Sequence, residues 1–269
     1  MTIFANKFIL AICRFFMRYF IKFSYNGSRY HGWQIQPNAI SVQETLTTAM
    51  ETILKSKIEL VGAGRTDTGV HASEMFAHFN FETTINTENI KHKLNSFLPG
   101  DIAVCEIFNV PDNVHARFSA KKRTYEYHIH QKKDVFKNDQ SWFLQKEIDL
   151  ILMNKASEIL LKHTNFQSFS KVNTDVHTFD CKIFSAKWSK KHNNIVFEIC
   201  ADRFLRNMVR SIVGTMINVG LEKISIDDFQ QIILNKDRKK AGFSVPAHGL
   251  FLTKIEYPSI DNLLFDGNV

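Results

Sequence analysis

IELVGAGRTDTGVHASEMFAHFNFE, residues 58–82, carries the pattern from which the fold is read. Residues 58–62 (IELVG) read as a short strand leading into a glycine-punctuated loop. From residue 74 to 82, Met75, Ala77, Phe79 and Phe81 fall on one face at period two, which reads as a strand. Between the two strands, Gly62, Gly64 and Gly69 allow tight backbone turns. They frame one cation and one carboxylate, Arg65 and Asp67, two residues apart. A guanidinium beside a carboxylate favours the ionised form that a nucleophile or base needs. A rigid loop between strands presents such a carboxylate at the mouth of a sheet. The residues alone leave two other readings open, a structural turn with a surface salt bridge and a phosphate cradle. The cradle is the weaker, because the run lacks the Gly-Lys-Ser/Thr ending of a P-loop and the spacing of a dinucleotide fingerprint.

Outward from this stretch the order of elements repeats. Upstream, residues 18–25 (RYFIKFSY) read as a strand, and Ser41 and Glu44 fit a capping box before a helix running to about Lys55. Downstream, Ile90, Leu94, Phe97 and Leu98 mark a helix over 87–98 that stops before Pro99, and 102–109 is a further strand. The order β-α-β-β-α-β is the split βαβ or ferredoxin-like arrangement. The second half reads similarly: a strand at 123–130, a helix at 147–162, a strand pair at 179–188 and 194–201, helices at 203–219 and 225–234, and a closing strand at 249–257. The expected class is therefore α+β: two fused ferredoxin-like βαββαβ halves, with mostly antiparallel sheets forming one extended sheet and helices on one face. The halves are expected at 17–112 and 113–258, followed by a tail at 259–269. No Pro/Gly/Ser-rich linker separates them, which points to a packed junction rather than a tether.

Composition narrows the class. The chain has 269 residues, 44% hydrophobic and 23% charged, a globular profile. Its formal charge of +7 favours polyanionic partners. Cys13, Cys105, Cys181 and Cys200 are dispersed, with no Cys-x-x-Cys, and read as buried free thiols in a reducing cytoplasm rather than zinc ligands or a disulfide framework. Residues 1–16 hold an apolar run broken by Arg14, too short for a membrane span and without a small-residue cleavage site. They read as an extension outside the fold, with Met17 as an alternative start of translation.

The glycine loop, GAGRTDTGVHA (62–72), resembles the signature of the TruA-type tRNA pseudouridine synthases. Further blocks in family order are similar too: FSYNGSRYHGWQIQPNAISVQETL (23–46), HARFSAKKRTYEYHI (115–129), NFQSFSK (165–171), FLRNMVRSIVGTMINVG (204–220) and HGLFLTKIEY (248–257). Thr68 stands where Ala is commoner in the family, and residues 1–16 have no counterpart. The resemblance implies isomerisation of uridine to pseudouridine at positions 38 to 40 of the tRNA anticodon stem-loop, without metal or organic cofactor, by a cytoplasmic homodimer. It puts Asp67 on the essential aspartate, attacking either C6 of the uracil or C1′ of the ribose. Arg65 falls on the motif arginine, expected to pair with Asp67 at rest and to hold the nucleotide open. Tyr125 falls on the active-site tyrosine, and Tyr127, on the same side of the strand, is the competing choice. Arg206 and Arg210 are expected four apart on one helix, opposite an apolar stripe. From the residues alone they are a solvated face or a substrate contact, and the resemblance favours contact, Arg210 above Arg206. Lys121, Lys122 and Arg123 add charge suited to an RNA backbone, and Arg29, Tyr30 and His31 form a first loop that either touches RNA or is merely exposed. A non-catalytic RNA-binding protein on this fold is the alternative, disfavoured by the joint presence of Asp67, Arg65 and Tyr125. A nucleotide-phosphate-binding enzyme is weaker still.

Overall fold

The computed structural model describes residues 16–172, 176–258 and 260. The expectations for the 1–16 extension and the 259–269 tail lie outside these residues, apart from Phe16 and Ile260. The chain runs β1 (Met17–Tyr25), α1 (Val42–Leu54), β2 (Val61–Gly62), β3 (His71–Phe81), α2 (Thr87–Phe97), β4 (Ile102–Val110), β5 (Lys122–His130), β6 (Trp142–Phe143), α3 (Leu150–Leu160), β7 (Ile183–Lys191), β8 (Asn194–Ala201), α4 (Met208–Gly220), α5 (Ile226–Asn235) and β9 (Leu250–Glu256). All nine strands join one sheet, ordered β4-β1-β3-β9-β5-β8-β7, with β2 beside β3 and β6 beside β5. The class is α+β, as expected. Within the first half the strands lie β4-β1-β3-β2, all antiparallel. In the second, β9-β5-β8-β7 repeats the same order, again antiparallel.

A short strand makes the junction. β2 is two residues long and pairs only with His78 and Ala77 near the end of β3. The other end of that β3 edge is free, and β9 pairs there in parallel, His71 with Phe251 and Ala72 with Leu252. Beyond this point β3 and β9 diverge, and the Glu74 carboxylate accepts the Ile255 N–H while pairing with Lys22 at 2.9 Å. The loop from Ala63 to Val70 therefore emerges where the two halves meet.

Two apolar cores flank that seam, one built on β1, β3 and α1, the other on β5, β8, α3 and α4, and Tyr125 packs against both. The period-two reading of β3 captured only one of its faces, for Met75, Phe76, Ala77, His78 and Phe79 are all buried. The second face is covered by the segment after β4 and by Tyr257, just after β9. Phe20 meets Phe76, Phe108 and Tyr257, and the His78 ring meets His115.

Several boundaries moved. The helix expected from 203 begins at Met208, because Asn207 adopts a left-handed φ of 67° that no helix continues through. The strand expected at 179–188 runs from Ile183, and the parallel strand β6 was not anticipated. Ser41 caps α1 by accepting the Glu44 N–H, which is half of the expected box. Cys181 and Cys200 are buried free thiols, but Cys105 is exposed on the outer strand β4, and Cys13 lies outside the described residues. No helix among the described residues is long and apolar enough to cross a membrane.

Candidate active site

The loop after β2 is held from two sides. Trp33 N donates to the Thr66 carbonyl and Gly69 N to the Tyr30 carbonyl. The Tyr25 hydroxyl, under the loop, shares a hydrogen bond of 2.8 Å with Thr66 Oγ1. Gly32 lies so close that a Cβ would drive into the Thr66 carbonyl oxygen, at a φ of +87° that disfavours any side chain. Of the three loop glycines only Gly69, at φ +77°, needs its conformational freedom, and Gly64 has open space around it. His71 closes the loop. Its Nδ1 accepts from Gly27 N, its Nε2 meets the His248 carbonyl at 3.1 Å, and burial holds its pKa below the ordinary histidine value. The first loop is thus packed scaffold around Tyr30, which is buried and bonded to Asp101 alongside Arg29; His31 alone of the three is an unpaired exposed side chain.

So braced, the loop turns the Asp67 carboxylate toward the second half. Arg206 Nε lies 3.8 Å from Oδ1 and Arg210 Nη1 lies 3.6 Å from Oδ2. Arg65, expected to be the partner of Asp67, is exposed and has no acceptor among the described residues. The expected helical stacking of Arg206 above Arg210 is also overturned. Arg206 precedes α4, in the segment bent by Asn207, and only Arg210 stands in the first turn of the helix. A cation there opposes the helix dipole, a placement that helix stability alone would avoid. Arg210 is fixed by its Nε, which donates to the Val245 carbonyl at 2.7 Å. Arg206 is more exposed, and its carbonyl is pinned by Lys171 N. The two guanidiniums keep ion-pair distance from Asp67 without closing on it, which leaves the carboxylate oxygens approachable.

The two tyrosines separate cleanly. Tyr127 is wholly buried, its hydroxyl donating to the Pro246 carbonyl at 2.9 Å. It is a core residue. Tyr125 is only partly buried, its ring edge-on to Phe204 at 5.1 Å, and near enough to Asp67 to sense its charge. Burial pushes its hydroxyl up to about 12, opposed by Arg123 and reinforced by Asp67, so the phenol is protonated at neutral pH.

A further residue of the site reads differently from its sequence. Arg123, expected to face an RNA backbone, is turned inward. Its guanidinium donates to the carbonyls of Asp202 at 2.7 Å, Arg117 at 2.9 Å and Ala63 at 3.2 Å. It ties the root of the Asp67 loop to the segments that carry Arg117 and Arg206. Its period-two relation to Tyr125 and Tyr127 on β5 was the available signal, since all three share a face. Lys122 is engaged with Glu256 at 3.3 Å, and Lys121 remains exposed. No group of three or more His, Cys, Asp or Glu side chains converges among the described residues as a metal site would require.

Comparison with known proteins identifies the family. A family model described as tRNA pseudouridine synthase matches residues 22–119 and 157–258. A protein named tRNA pseudouridine synthase A from Azobacteroides pseudotrichonymphae is 48% identical over 242 residues, covering 90% of this chain and 97% of that protein. A protein of the same name from Bacteroides fragilis is 49% identical over 243 residues, covering 90% and 96%. One from Thermoanaerobacter sp. is 40% identical over 235 residues, covering 87% and 96%.

Proposed function

Because this chain belongs to the tRNA pseudouridine synthase family, we propose that it isomerises uridine to pseudouridine in tRNA, at positions 38, 39 and 40 of the anticodon stem-loop, with Asp67 as nucleophile. The observation that carries the reading is the convergence on one carboxylate of a glycine loop from the first half and two arginines from the second, beside a protonated tyrosine. On this reading residues 17–112 deliver Asp67, and residues 113–258 deliver Tyr125, Arg206 and Arg210. A turn stabilised by a surface salt bridge does not call for two arginines held off at 3.6 and 3.8 Å.

A uridine in a stem must leave its stack before Asp67 reaches it, at a cost of a few kcal/mol. Arg206 turns from Asp67 to the phosphates of the extruded nucleotide, Arg210 offers the same phosphates its terminal nitrogens while its Nε stays on Val245, and the exposed Arg65 holds the vacated position open. Tyr125 lies against the uracil ring and offers its hydroxyl as a donor. Asp67 then attacks C1′ of the ribose or C6 of the uracil. In the first case the carboxylate–C1′ bond forms as N1–C1′ breaks, and the uracil leaves with the electron pair. It turns, C5 attacks C1′ and expels the carboxylate. The proton lost from C5 balances the one gained at N1, so the reaction needs no redox partner. In the second case the carboxylate adds to C6, the N1–C1′ bond breaks and the tethered ring turns, C5 bonds to C1′, and the carboxylate is eliminated from C6 as the C5 proton leaves and N1 gains one. A homodimer that shares the tRNA-binding surface completes the proposal.

The test replaces Asp67 with Ala and follows release of tritium from tRNA labelled at uracil C5, which the reaction must discharge. Lost release with tRNA affinity kept is expected, and undiminished release refutes the assignment of the nucleophile. Mapping pseudouridine in tRNA from cells with and without the gene tests the positions. Affinity for tRNA should fall steeply as salt is raised, as a basic face requires.

A further inference from the structure

The turn that follows β4, residues 115–119, is more rigid than its exposure requires. Ser119 N donates to the His115 carbonyl and His115 N to Ser119 Oγ, both at 2.9 Å. The N–H groups of Arg117 and Phe118 both point at His115 Nδ1, at 3.0 and 3.3 Å. Ala116 donates to His78 Nδ1 and accepts from the Tyr257 hydroxyl. The Arg117 carbonyl shares one Arg123 nitrogen with the Ala63 carbonyl. The turn is thus locked to the root of the Asp67 loop.

Two side chains take no part in this locking. Phe118 is 73% exposed, and Arg117 is exposed with no acceptor for its guanidinium among the described residues. A lone exposed phenylalanine is ordinary. Phe136, 91% exposed, is one, with no aromatic ring packed against it in the described structure. Phe118 differs in being backed. The His115 ring lies 4.4 Å from it at a tilt of 35°, and behind His115 the buried His78 ring follows at 4.5 Å. The Arg117 guanidinium lies over the Phe118 ring, 5.7 Å from its centroid. The result is a flat ring on a rigid mount, with an exposed cation over it that has no acceptor of its own among the described residues. That combination suits a planar partner carrying a negative charge close to its plane.

We propose that Phe118 and Arg117 form a stacking platform for an unpaired nucleobase of the tRNA near the target uridine, Phe118 against the base and Arg117 against its phosphate. The proposal rests on the tRNA reading above and adds to it a second point of contact. Base stacking on an aromatic ring tolerates any sequence, because every base has a π-face, and Arg supplies the backbone charge. An aliphatic side chain fills the same space without offering that face.

Phe118→Leu, Phe118→Trp and Arg117→Gln, compared with the parent, separate stacking from simple bulk. The ligand is unmodified tRNA transcript, and binding is read by filter retention and tryptophan emission. Phe118→Leu should weaken tRNA binding at least about fivefold, the lower end of one stacked base. In Phe118→Trp, saturating tRNA should quench emission beyond any change in the parent, whose Trp33 and Trp188 are buried and whose Trp142 is half-buried. Arg117→Gln should reduce the salt slope of binding by about one. Parental affinity in Phe118→Leu, or no added quenching in Phe118→Trp, overturns the platform. If the parent releases no C5 tritium, the activity assignment fails, and the platform is still judged on binding. If the parent turns over and the variants bind as it does, only the platform fails.

Discussion

Replacing Arg123 by Met tests the claim that one guanidinium aligns the two sides of the site. Met preserves most of the aliphatic volume and removes the three hydrogen bonds to Asp202, Arg117 and Ala63. Hydrogen bonds to a charged group contribute about 1.5–3 kcal/mol each. The sum is not fully lost, because burial already costs the guanidinium, as its lowered pKa indicates, and the Arg117 carbonyl can take water instead. The expected loss is about 2–4 kcal/mol by urea unfolding. The effect on chemistry should be larger. Ala63 lies four residues before Asp67, and Asp202 four before Arg206, so releasing both lets the carboxylate and its arginines drift apart. A misplacement of about 1 Å costs on the order of 100-fold in rate. Single-turnover tritium release at saturating tRNA should therefore fall about 100-fold, with tRNA affinity changed far less. Arg123→Lys should recover part of the stability but little of the rate, since one ammonium cannot span three carbonyls set by a planar fork. A Met variant within about 0.5 kcal/mol of the parent and equally fast would refute the alignment argument.

Three further outcomes are expected. His78 is buried and its pKa is depressed to about 4 by burial, with His115 and Arg18 adding to it. A histidine depressed in the fold binds protons more readily when unfolded, so stability should be full above about pH 6.5 and fall by about 3 kcal/mol toward pH 4, a decline that urea titrations in His78→Gln should show flattened. Tyr127→Phe strands the Pro246 carbonyl and should cost about 1–2 kcal/mol in unfolding free energy, with tRNA affinity unchanged; a large loss of affinity would return Tyr127 to the site. Gly32→Ala forces a Cβ onto the Thr66 carbonyl at a left-handed φ, so thermal melts should show a loss of about 2 kcal/mol or more together with lost turnover.

Local patterns carried most of the fold, because each half is made of strands and helices whose periods are visible in short windows. The order βαββαβ and the position of the Asp67 loop follow from residues 58–82 and their flanks. The reading of β3 as one-sided failed, since the cover for its second face, Tyr257 and the turn at 115–119, comes from distant sequence. The same reason explains Arg65. Proximity in sequence made it the natural partner of Asp67, whereas the actual partners are about 140 residues away. Arg206 could not be placed while Asn207 was read as helical, because a left-handed residue outside glycine has little local signature. Tyr125 and Tyr127 were indistinguishable by period, and only the depth of each in the sheet told them apart.

The brevity of β2 also governs the life of the chain before it is folded. Because β2 leaves half of the β3 edge free, the strand that fills the gap is β9, the last in chain order among the described residues. During synthesis the Asp67 loop emerges with its neighbouring edge bare, and some 180 residues must follow before His71 finds Phe251. A chain that ends before Arg206 therefore has a carboxylate loop without its arginines, and one that ends anywhere short of β9 has an open strand edge prone to pairing with other chains. The seam turns completion of translation into a condition for assembling the site, so that fragments ending short of β9 should yield no partial enzyme.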